Sequence, residues 1–170
     1  MIFYFLIGLI SIQIMLEDFK HRSIHWINLL LIALVELAAY GFQVFNLNLY
    51  EIFINLAFLG IQFCALTIYF SFKEKCIVNI TDSHIGLGDI LYMVMLTPVF
   101  TPTGFVIFMI TALIFSMISV GGYSLIIRKL PDSIPLASLI AIWLIITGTA
   151  ELLIPGYWND LNLFLFTWIS

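Results

Sequence analysis

A series of six apolar stretches, separated by short polar connections, restricts the fold of this chain more than any other feature of its sequence. A helix that crosses a lipid bilayer needs about 20 mostly apolar residues. Most of the stretches reach that length, whereas the first and the fourth are shorter. In chain order, we expect helices over Ile2–Met15 or slightly beyond, Trp26–Phe45, Ile52–Phe72, Leu87–Phe100, Gly104–Ile127 and Leu136–Ile154.

The composition excludes the main soluble classes. Hydrophobic residues make up 63% of the 170 residues and charged residues only 9%, whereas a soluble domain carries about 25% charged residues. The high hydrophobicity excludes a disordered chain, and a net charge of −4 without basic clusters argues against a nucleic-acid partner. The sequence therefore predicts an all-α, polytopic integral membrane protein, in which residues 1–170 form a single transmembrane domain and the lipid bilayer is a partner.

The cationic residues predict how these helices are oriented. The connections Asn46–Glu51 and Thr101–Thr103 and the segment after Pro155 contain no lysine or arginine. Cytoplasmic connections are enriched in these residues, so we expect six membrane-spanning helices with both termini outside. The first helix lacks a basic signal-peptide segment and is expected to be retained, and the apolar tail Leu161–Ile169 is expected at the membrane interface. The cations lie in the other connections: Lys20, Arg22, Lys73, Lys75, Arg128 and Lys129.

Two acidic residues are predicted to lie together at the cytoplasmic boundary. Asp18 sits where the first helix leaves the membrane, and Asp89 lies at the start of the fourth helix, which enters from the same side. Two carboxyl groups a few ångströms apart share a proton, because both cannot ionise cheaply. The ionised member can take a proton from water and the protonated member can donate to a carbonyl oxygen. This is the chemistry of aspartic proteolysis.

Two glycines precede the second of these acids, in the segment Gly86-Leu-Gly88-Asp89. Glycine permits unusual backbone angles and the close approach of another chain, so a substrate strand or the Asp18 helix could lie against this backbone. Helix packing is the alternative explanation, because small residues are frequent between membrane helices. Together with a second acid expected at the same depth, the segment favours a catalytic role for Asp89.

With these residues the chain resembles the type IV prepilin peptidases, the GxGD intramembrane aspartic proteases whose relatives process archaeal preflagellins. The segment Asp18-Phe-Lys-His-Arg22-Ser-Ile24 is similar to the family's Asp-x-x-x-Arg-x-Ile-Pro-Asn stretch, and Gly86-Leu-Gly88-Asp89 matches its Gly-x-Gly-Asp. A run beginning Ile134-Pro135 is similar to the start of the family's last helix. The chain departs from the family pattern, which has proline, asparagine and lysine, at His25, Trp26 and Leu91.

The resemblance implies a membrane-embedded aspartic endopeptidase, a hydrolase of the cell membrane that removes a short basic leader from type IV pilin-like precursors. Asp18 and Asp89 would be its catalytic pair, acting at the cytoplasmic face without a metal ion or another cofactor. The larger bacterial enzymes carry a cysteine-bearing cytoplasmic domain that this chain lacks, so it is similar to the short, peptidase-only branch. Substrate contacts or backbone positioning would fall to Gly86, Gly88, Arg22, Ile24 and Pro135.

A metal site is one alternative that the residues leave open. Asp18, His21 and His25 share one helical face if a single helix runs through them. Carboxylate and imidazole groups in this arrangement bind zinc or another divalent ion, and His84 could add a ligand from a neighbouring connection. The chain would then be a metal transporter or a metal-dependent membrane hydrolase.

Glu36 supports another alternative, a proton-coupled transporter. It is expected near the middle of the bilayer, where an acidic residue is costly and is a functional candidate. Gln62 in the third helix falls at a similar depth and could form a hydrogen bond with it. The preferred interpretation is a protonated, structural Glu36 inside the helix bundle. The oligomeric state is left open.

Overall fold

The computed structural model describes residues 2–21, 23–42, 48–75, 85–127 and 135–153, and helices account for nearly all of them. These segments contain no β-strand, so the predicted all-α class is confirmed for the part of the chain described. Within them the chain forms six helices: α1 (Ile2–His21), α2 (Trp26–Gly41), α3 (Leu49–Glu74), α4 (Leu87–Met95), α5 (Pro102–Ile127) and α6 (Leu136–Leu153).

The first helix is longer than the apolar stretch that predicts it. α1 runs past Met15 to His21, so Asp18 lies inside the helix and not beyond its end. Lys20 and His21 form part of the last turn, where positive charge is favoured by the helix dipole. Charged residues therefore extend α1 beyond its apolar part.

Two other helices are shorter than predicted. α2 ends at Gly41, short of Phe45, since glycine is a poor helix former. α4 ends at Met95, short of Phe100, because residues 96–99 form turns. The predicted interfacial tail and several predicted connection residues lie outside the described residues: Leu161–Ile169, Arg22, Arg128 and Lys129.

Among the described helices, two are long and apolar enough to cross a membrane, Leu49–Glu74 and the part of α5 over Pro102–Leu125. Only 11% of the apolar window of α3 is buried inside the fold. Large apolar side chains such as Phe53, Ile61 and Phe72 are exposed instead. Extended apolar surface of this kind marks an interaction site or a membrane contact, which supports association with a membrane.

The core forms around the pairing of α1 with α6. α1 also packs against α2, while α6 contacts α5 and α4. α4 contacts α2, and α3 joins the bundle through α5. The fully buried large side chains come from all six described helices and from the turn after α4: Ile14, Ile32, Leu59, Tyr92, Leu96, Phe105, Phe108, Met109 and Ile140.

Hydrogen bonds between helices show how the helix ends are arranged. Around Asp18 and Asp89, the C-terminal part of α1 meets the N-terminal turns of α2, α4 and α6; we call this the aspartate end. Beyond the other end of α4, the Asn55 side chain of α3 donates to the carbonyl oxygens of Thr97 and Phe100, over 2.9 and 3.0 Å. α3 therefore begins at the end of the bundle opposite the aspartate end.

Candidate active site

The carboxyl group of Asp18 is bound by one residue in the first turn of α6. Asp18 is only 5% exposed. Its Oδ2 atom accepts two hydrogen bonds from Ser138, one from the backbone N–H at 2.9 Å and one from the hydroxyl group at 2.7 Å. The Ser138 hydroxyl oxygen also lies 3.2 Å from the carbonyl oxygen of Met15, in the preceding turn of α1. These contacts hold the Asp18 side chain against α6.

The carboxyl group of Asp89 is bound by the neighbouring residue of the same helical turn. The backbone N–H of Ala137 donates to Oδ1 of Asp89 over 2.9 Å. Ala137 and Ser138 are consecutive, so their Cα atoms lie about 3.8 Å apart. Because each carboxyl group accepts from one of these two adjacent N–H groups, the two carboxyl groups lie side by side. The structure thus brings together the two acids that the sequence predicts to be neighbours.

The start of α6 explains why these donors are available. Pro135 directly precedes the helix, where its fixed φ favours the start of a helix. The N–H of Leu139 donates to the Pro135 carbonyl oxygen at 3.2 Å. The N–H groups before it have no carbonyl partner within the helix, so those of Ala137 and Ser138 bind acceptors on other helices. The helix dipole favours negative charge at this position, and the two carboxyl groups supply it.

Glycine at positions 86 and 88 leaves space for neighbouring atoms, and neither position has an unusual backbone conformation. Gly86 has φ −62° and ψ 140°, a conformation that other residues also adopt, so the expectation of unusual angles is wrong there. A Cβ atom on Gly86 would lie 3.3 Å from Oδ2 of Asp89. A Cβ atom on Gly88 would lie 3.3 Å from the Cβ and Cδ1 atoms of Ile24. Gly86 therefore leaves room for the Asp89 carboxyl group, and the segment that approaches Gly88 is the one containing Ile24.

The other residues singled out by the family resemblance differ in position. Ile24 is partly buried, packs against the core and contacts Gly88. Pro135 directly precedes the helix that binds both aspartates. Arg22 lies outside the described residues. Ile24 and Pro135 therefore support the site through packing and helix geometry.

Glu17 connects the end of α1 to the start of α2. Its Oε2 atom accepts hydrogen bonds from the His25 backbone N–H at 3.2 Å and from Nδ2 of Asn28 at 2.8 Å. The His25 imidazole Nδ1 lies 3.4 Å from the same oxygen and forms an ion pair when it is protonated. Asn28 is almost fully buried. Glu17 therefore stabilises the turn next to Asp18, a role that the sequence alone does not predict.

The predicted metal-binding face is not formed. α1 ends at His21, and residues 23–25 are not helical, so Asp18, His21 and His25 do not share one helical face. Asp18 is buried and bound to Ser138, whereas both histidines are exposed. Within the described residues there is no group of three or more histidine, cysteine or acidic side chains that could hold a metal ion. His84 lies outside those residues.

Glu36 is buried in the fold, but it does not pair with Gln62 as predicted. It is 7% exposed and lies on the face of α2 that is buried together with Ile32 and Ala39. Among the described residues, Oε1 of Glu36 and Oε1 of Gln62 each have no hydrogen-bond partner. A buried polar atom without a hydrogen-bond partner lowers stability, so packing alone does not explain an acidic residue at position 36.

Tyr92 and Ser11 form a second connection between the helices that carry the aspartates. The Tyr92 hydroxyl group donates to the Ser11 hydroxyl oxygen over 3.0 Å, and both side chains are fully buried. Tyr92 follows Asp89 by one turn of α4, so this hydrogen bond lies just inside the site. Ser11, Tyr92 and Ser138 are ordinary residues in an apolar sequence. The sequence could have pointed to them in one way only: they are polar residues inside apolar stretches, and a buried polar group needs a hydrogen-bond partner.

The arrangement is suited to chemistry that uses two carboxyl groups in different protonation states. The hydrogen bonds on Asp18 and Asp89 come from Ser138 and the Ala137 backbone, and these donors carry no positive side-chain charge. Two interacting carboxyl groups in such a setting favour a state with one proton between them. One group can then act as a base toward water while the other acts as an acid.

The comparisons with known proteins do not place the chain in a group. No family model matches the sequence, and neither a curated protein nor a solved structure matches it.

Proposed function

We propose that this protein is a membrane-embedded aspartic endopeptidase that removes a short basic leader from a type IV prepilin-like precursor. Asp18 and Asp89 are the catalytic pair. The observation that carries the proposal is that consecutive N–H groups of α6, from Ala137 and Ser138, each bind one of the two carboxyl groups. Such binding holds the two acids side by side without a basic side chain between them.

The reaction is a direct hydrolysis of a peptide bond. The ionised carboxylate takes a proton from water while the water oxygen bonds to the scissile carbonyl carbon. The protonated carboxyl group donates its proton to the carbonyl oxygen. When the tetrahedral intermediate collapses, the C–N bond breaks, the hydroxyl proton returns to the pair and the leaving nitrogen takes a proton from it. The pair ends with the one proton that it held at the start.

The membrane placement belongs to the same proposal. Six helices cross or enter the bilayer, with the aspartate end at the cytoplasmic side and both termini outside. The exposed apolar side chains of α3 and α5 support this placement, and so does the position of Lys20 at the aspartate end. A substrate with an apolar helix would lie in the bilayer, so that its junction with the basic leader reaches the two acids.

Cleavage of a defined substrate tests the function. The enzyme is reconstituted in vesicles with a precursor that has a short basic leader before an apolar helix, and the released leader is measured. We expect Asp18→Asn and Asp89→Asn each to lower cleavage by at least 1,000-fold, since either change removes a proton-transfer group. Glu51→Gln is the matched control, because Glu51 is an acidic residue at the start of α3, where it accepts a hydrogen bond from Asn48, at the end of the bundle opposite the two aspartates. Cleavage that persists in either aspartate variant rules out this function.

A chelator separates this proposal from metal-dependent hydrolysis. A dyad that activates water directly keeps full activity in EDTA. Activity that is lost in EDTA and restored by one divalent ion would favour the metal alternative.

The second candidate function is a proton-coupled transporter, and Glu36 is the residue that supports it. The specific observation is that its carboxyl group is buried and that Oε1 has no hydrogen-bond partner in the described part of the chain. Proton uptake into vesicles that depends on Glu36 and is unchanged in Asp18→Asn, together with no cleavage of the precursor, would support this candidate. Cleavage that is unaffected by Glu36→Gln supports the peptidase.

A further inference from the structure

We propose that Ser138 is a positioning residue that holds Asp18 as the ionised, water-activating member of the pair and leaves Asp89 as the proton donor. This inference rests on the proposed peptidase function, and it assigns different roles to two acids that the sequence treats as equivalent.

The hydrogen bonds on the two carboxyl groups are not equivalent. Oδ2 of Asp18 receives both the N–H and the hydroxyl group of Ser138, so this oxygen is occupied by donors and has little room for a proton. The donors to Asp89 are backbone groups: its Oδ1 accepts from the Ala137 N–H, and the Gly86 backbone also forms a hydrogen bond with this carboxyl group. Hydrogen bonds to the charged form of a carboxyl group stabilise that form, and the hydroxyl group of Ser138 adds such a bond to Asp18.

The surroundings of Asp89 differ from those of Asp18 in the kind of donor. Oδ2 of Asp89 faces Gly86, at a position where a Cβ atom would lie only 3.3 Å away. The Gly86 backbone forms a hydrogen bond with this carboxyl group, and the hydrogen bonds of the described residues include no side-chain donor to Asp89. Asp89 therefore lacks the side-chain hydroxyl donor that stabilises the charged form of Asp18, and it is the better candidate for the protonated member.

The burial of Asp18 argues against an ionised carboxyl group at this position, so the hydrogen bonds to Asp18 must outweigh the effect of burial. Asp18 is more buried than Asp89, and burial alone favours a neutral carboxyl group. Two donors on one oxygen, at the positive end of α6, offset the lost hydration. Removing the hydroxyl group should therefore change the protonation of Asp18 more than any other property of the site.

Other charged groups near Asp18 must be considered before a pH profile is interpreted. Among the described residues of the elements packed around it, these groups are Asp89 of α4, Glu17, Lys20 and His21 of α1 itself, and His25 before α2, while Glu36 lies further along α2. The described side chains in the first turns of α6 include no titratable group. None of these groups is changed in a Ser138 variant, so a difference between profiles reports on the lost hydroxyl group.

The experiment is the pH dependence of kcat and KM for cleavage, measured for the wild type and Ser138→Ala in vesicles. The expected profile is bell-shaped, with the acidic limb set by the base and the basic limb set by the acid. Ser138→Ala should move the acidic limb to higher pH by about one unit or more, which corresponds to the loss of a hydrogen bond to a charged group. The basic limb and KM should stay where they are.

Two further variants control this experiment. Ser116→Ala removes another buried hydroxyl group, which is bonded to the Ala112 carbonyl oxygen within α5, and it should leave both limbs unchanged. Ser138→Cys keeps the size of the side chain with a much weaker donor, so it should show the same direction of shift. If Ser138→Ala does not fold, the cysteine variant decides the question.

Each outcome separates the inference from the proposed function. A Ser138→Ala profile that superimposes on the wild type, while Asp18→Asn and Asp89→Asn are inactive, overturns the role of Ser138 and leaves the peptidase intact. A shift of the basic limb instead would mean that Asp18 is the acid, which reverses the assignment. Cleavage that persists without Asp18 or Asp89 refutes the peptidase itself.

Discussion

The hydroxyl group of Tyr92 donates a hydrogen bond to the hydroxyl oxygen of Ser11 over 3.0 Å, one turn of α4 away from Asp89. Both side chains are fully buried, so this bond joins α4 to α1 inside the core. Together with the contacts of α6, it holds α4, which carries Asp89, against α1, which carries Asp18. Loss of this bond should therefore be measurable both in stability and in cleavage.

Tyr92→Phe should lower the free energy of unfolding by about 1 kcal/mol, because it removes one buried hydrogen bond and keeps the ring. Thermal unfolding in detergent, followed by circular dichroism, measures the change, and cleavage should fall with kcat more than with KM. Tyr69→Phe is the matched control, since Tyr69 is exposed on α3. Equal unfolding midpoints for Tyr92→Phe and the wild type would show that the bond contributes nothing.

Position 55 should require a side chain that donates hydrogen bonds, as Asn55 does. Its Nδ2 group donates to the carbonyl oxygens of Thr97 and Phe100, so Asn55→Ala should lower the free energy of unfolding by about 2 kcal/mol. Asn55→Asp should be worse, because it places an acceptor against two carbonyl oxygens and buries a charge. Asn48→Asp at the exposed start of α3 is the control: its Oδ1 keeps the hydrogen bond from the Tyr50 N–H, and the exposed Nδ2 hydrogen bond to Glu51 that it loses should contribute little. Asn55→Asp that is as stable as Asn55→Ala would contradict this explanation.

Substitution of Gly88 by a residue with a side chain should destabilise the fold, because Ile24 packs against it. Gly88→Ala places a Cβ atom 3.3 Å from Ile24, a distance at which the neighbour must shift slightly, and Gly88→Val should destabilise the fold by about 1–3 kcal/mol through overpacking. Gly121→Ala is the control, since a Cβ atom there meets nothing within 4 Å. Ile24→Ala should partly restore the Gly88→Val variant in a double-mutant cycle. Additive effects of the two substitutions would argue against their contact.

Glu17 should act through the oxygen that Asn28 and His25 share. Glu17→Gln keeps a carbonyl oxygen at that position and should stay close to the wild type, whereas Glu17→Ala should lose about 1–2 kcal/mol of stability and cleave more slowly. Thermal unfolding and steady-state kinetics measure the two effects. If Glu17 instead binds the basic leader by its charge, Glu17→Gln would raise KM without lowering stability.

Glu36 should be replaceable by an apolar residue of similar size. Glu36→Met removes a buried carboxyl group whose Oε1 has no hydrogen-bond partner in the described part of the chain, so it should raise the free energy of unfolding by about 1–2 kcal/mol. Leader cleavage should not change. Leu37→Met, on the exposed face of α2, is the control. A loss of stability in Glu36→Met would mean that the carboxyl group has a stabilising partner.

Much of the site could be anticipated because it depends on residue types that are rare in this chain. Asp18 and Asp89 stand out where few charges occur, and the apolar stretches predict the directions of the helices that carry them. The space around Gly88 also follows from the residue type, although the segment that fills it is that of Ile24. The length of α1 was underestimated because hydropathy does not detect a helix that continues through Glu17 and Asp18.

The donors of the site could not be predicted in the same way. The N–H groups of Ala137 and Ser138 belong to the backbone, which every residue except proline carries, so no residue type marks them. They act only because α6 begins at this point and because α1 and α4 carry their acids to it. Glu17 likewise acquires its role from the turn that brings Asn28 back to α1.

The sequence by itself determined that the chain is helical, that it suits an apolar environment and that Asp18 and Asp89 are the acids to compare. These properties follow from composition and from spacing along the chain. Only the tertiary structure decided which groups bind each acid, since a hydrogen bond between distant residues depends on distances that no local pattern encodes. Asp18 and Asp89 are alike as residues, and they differ because Ser138 adds a side-chain hydroxyl donor to Asp18, whereas the donors to Asp89 are backbone groups.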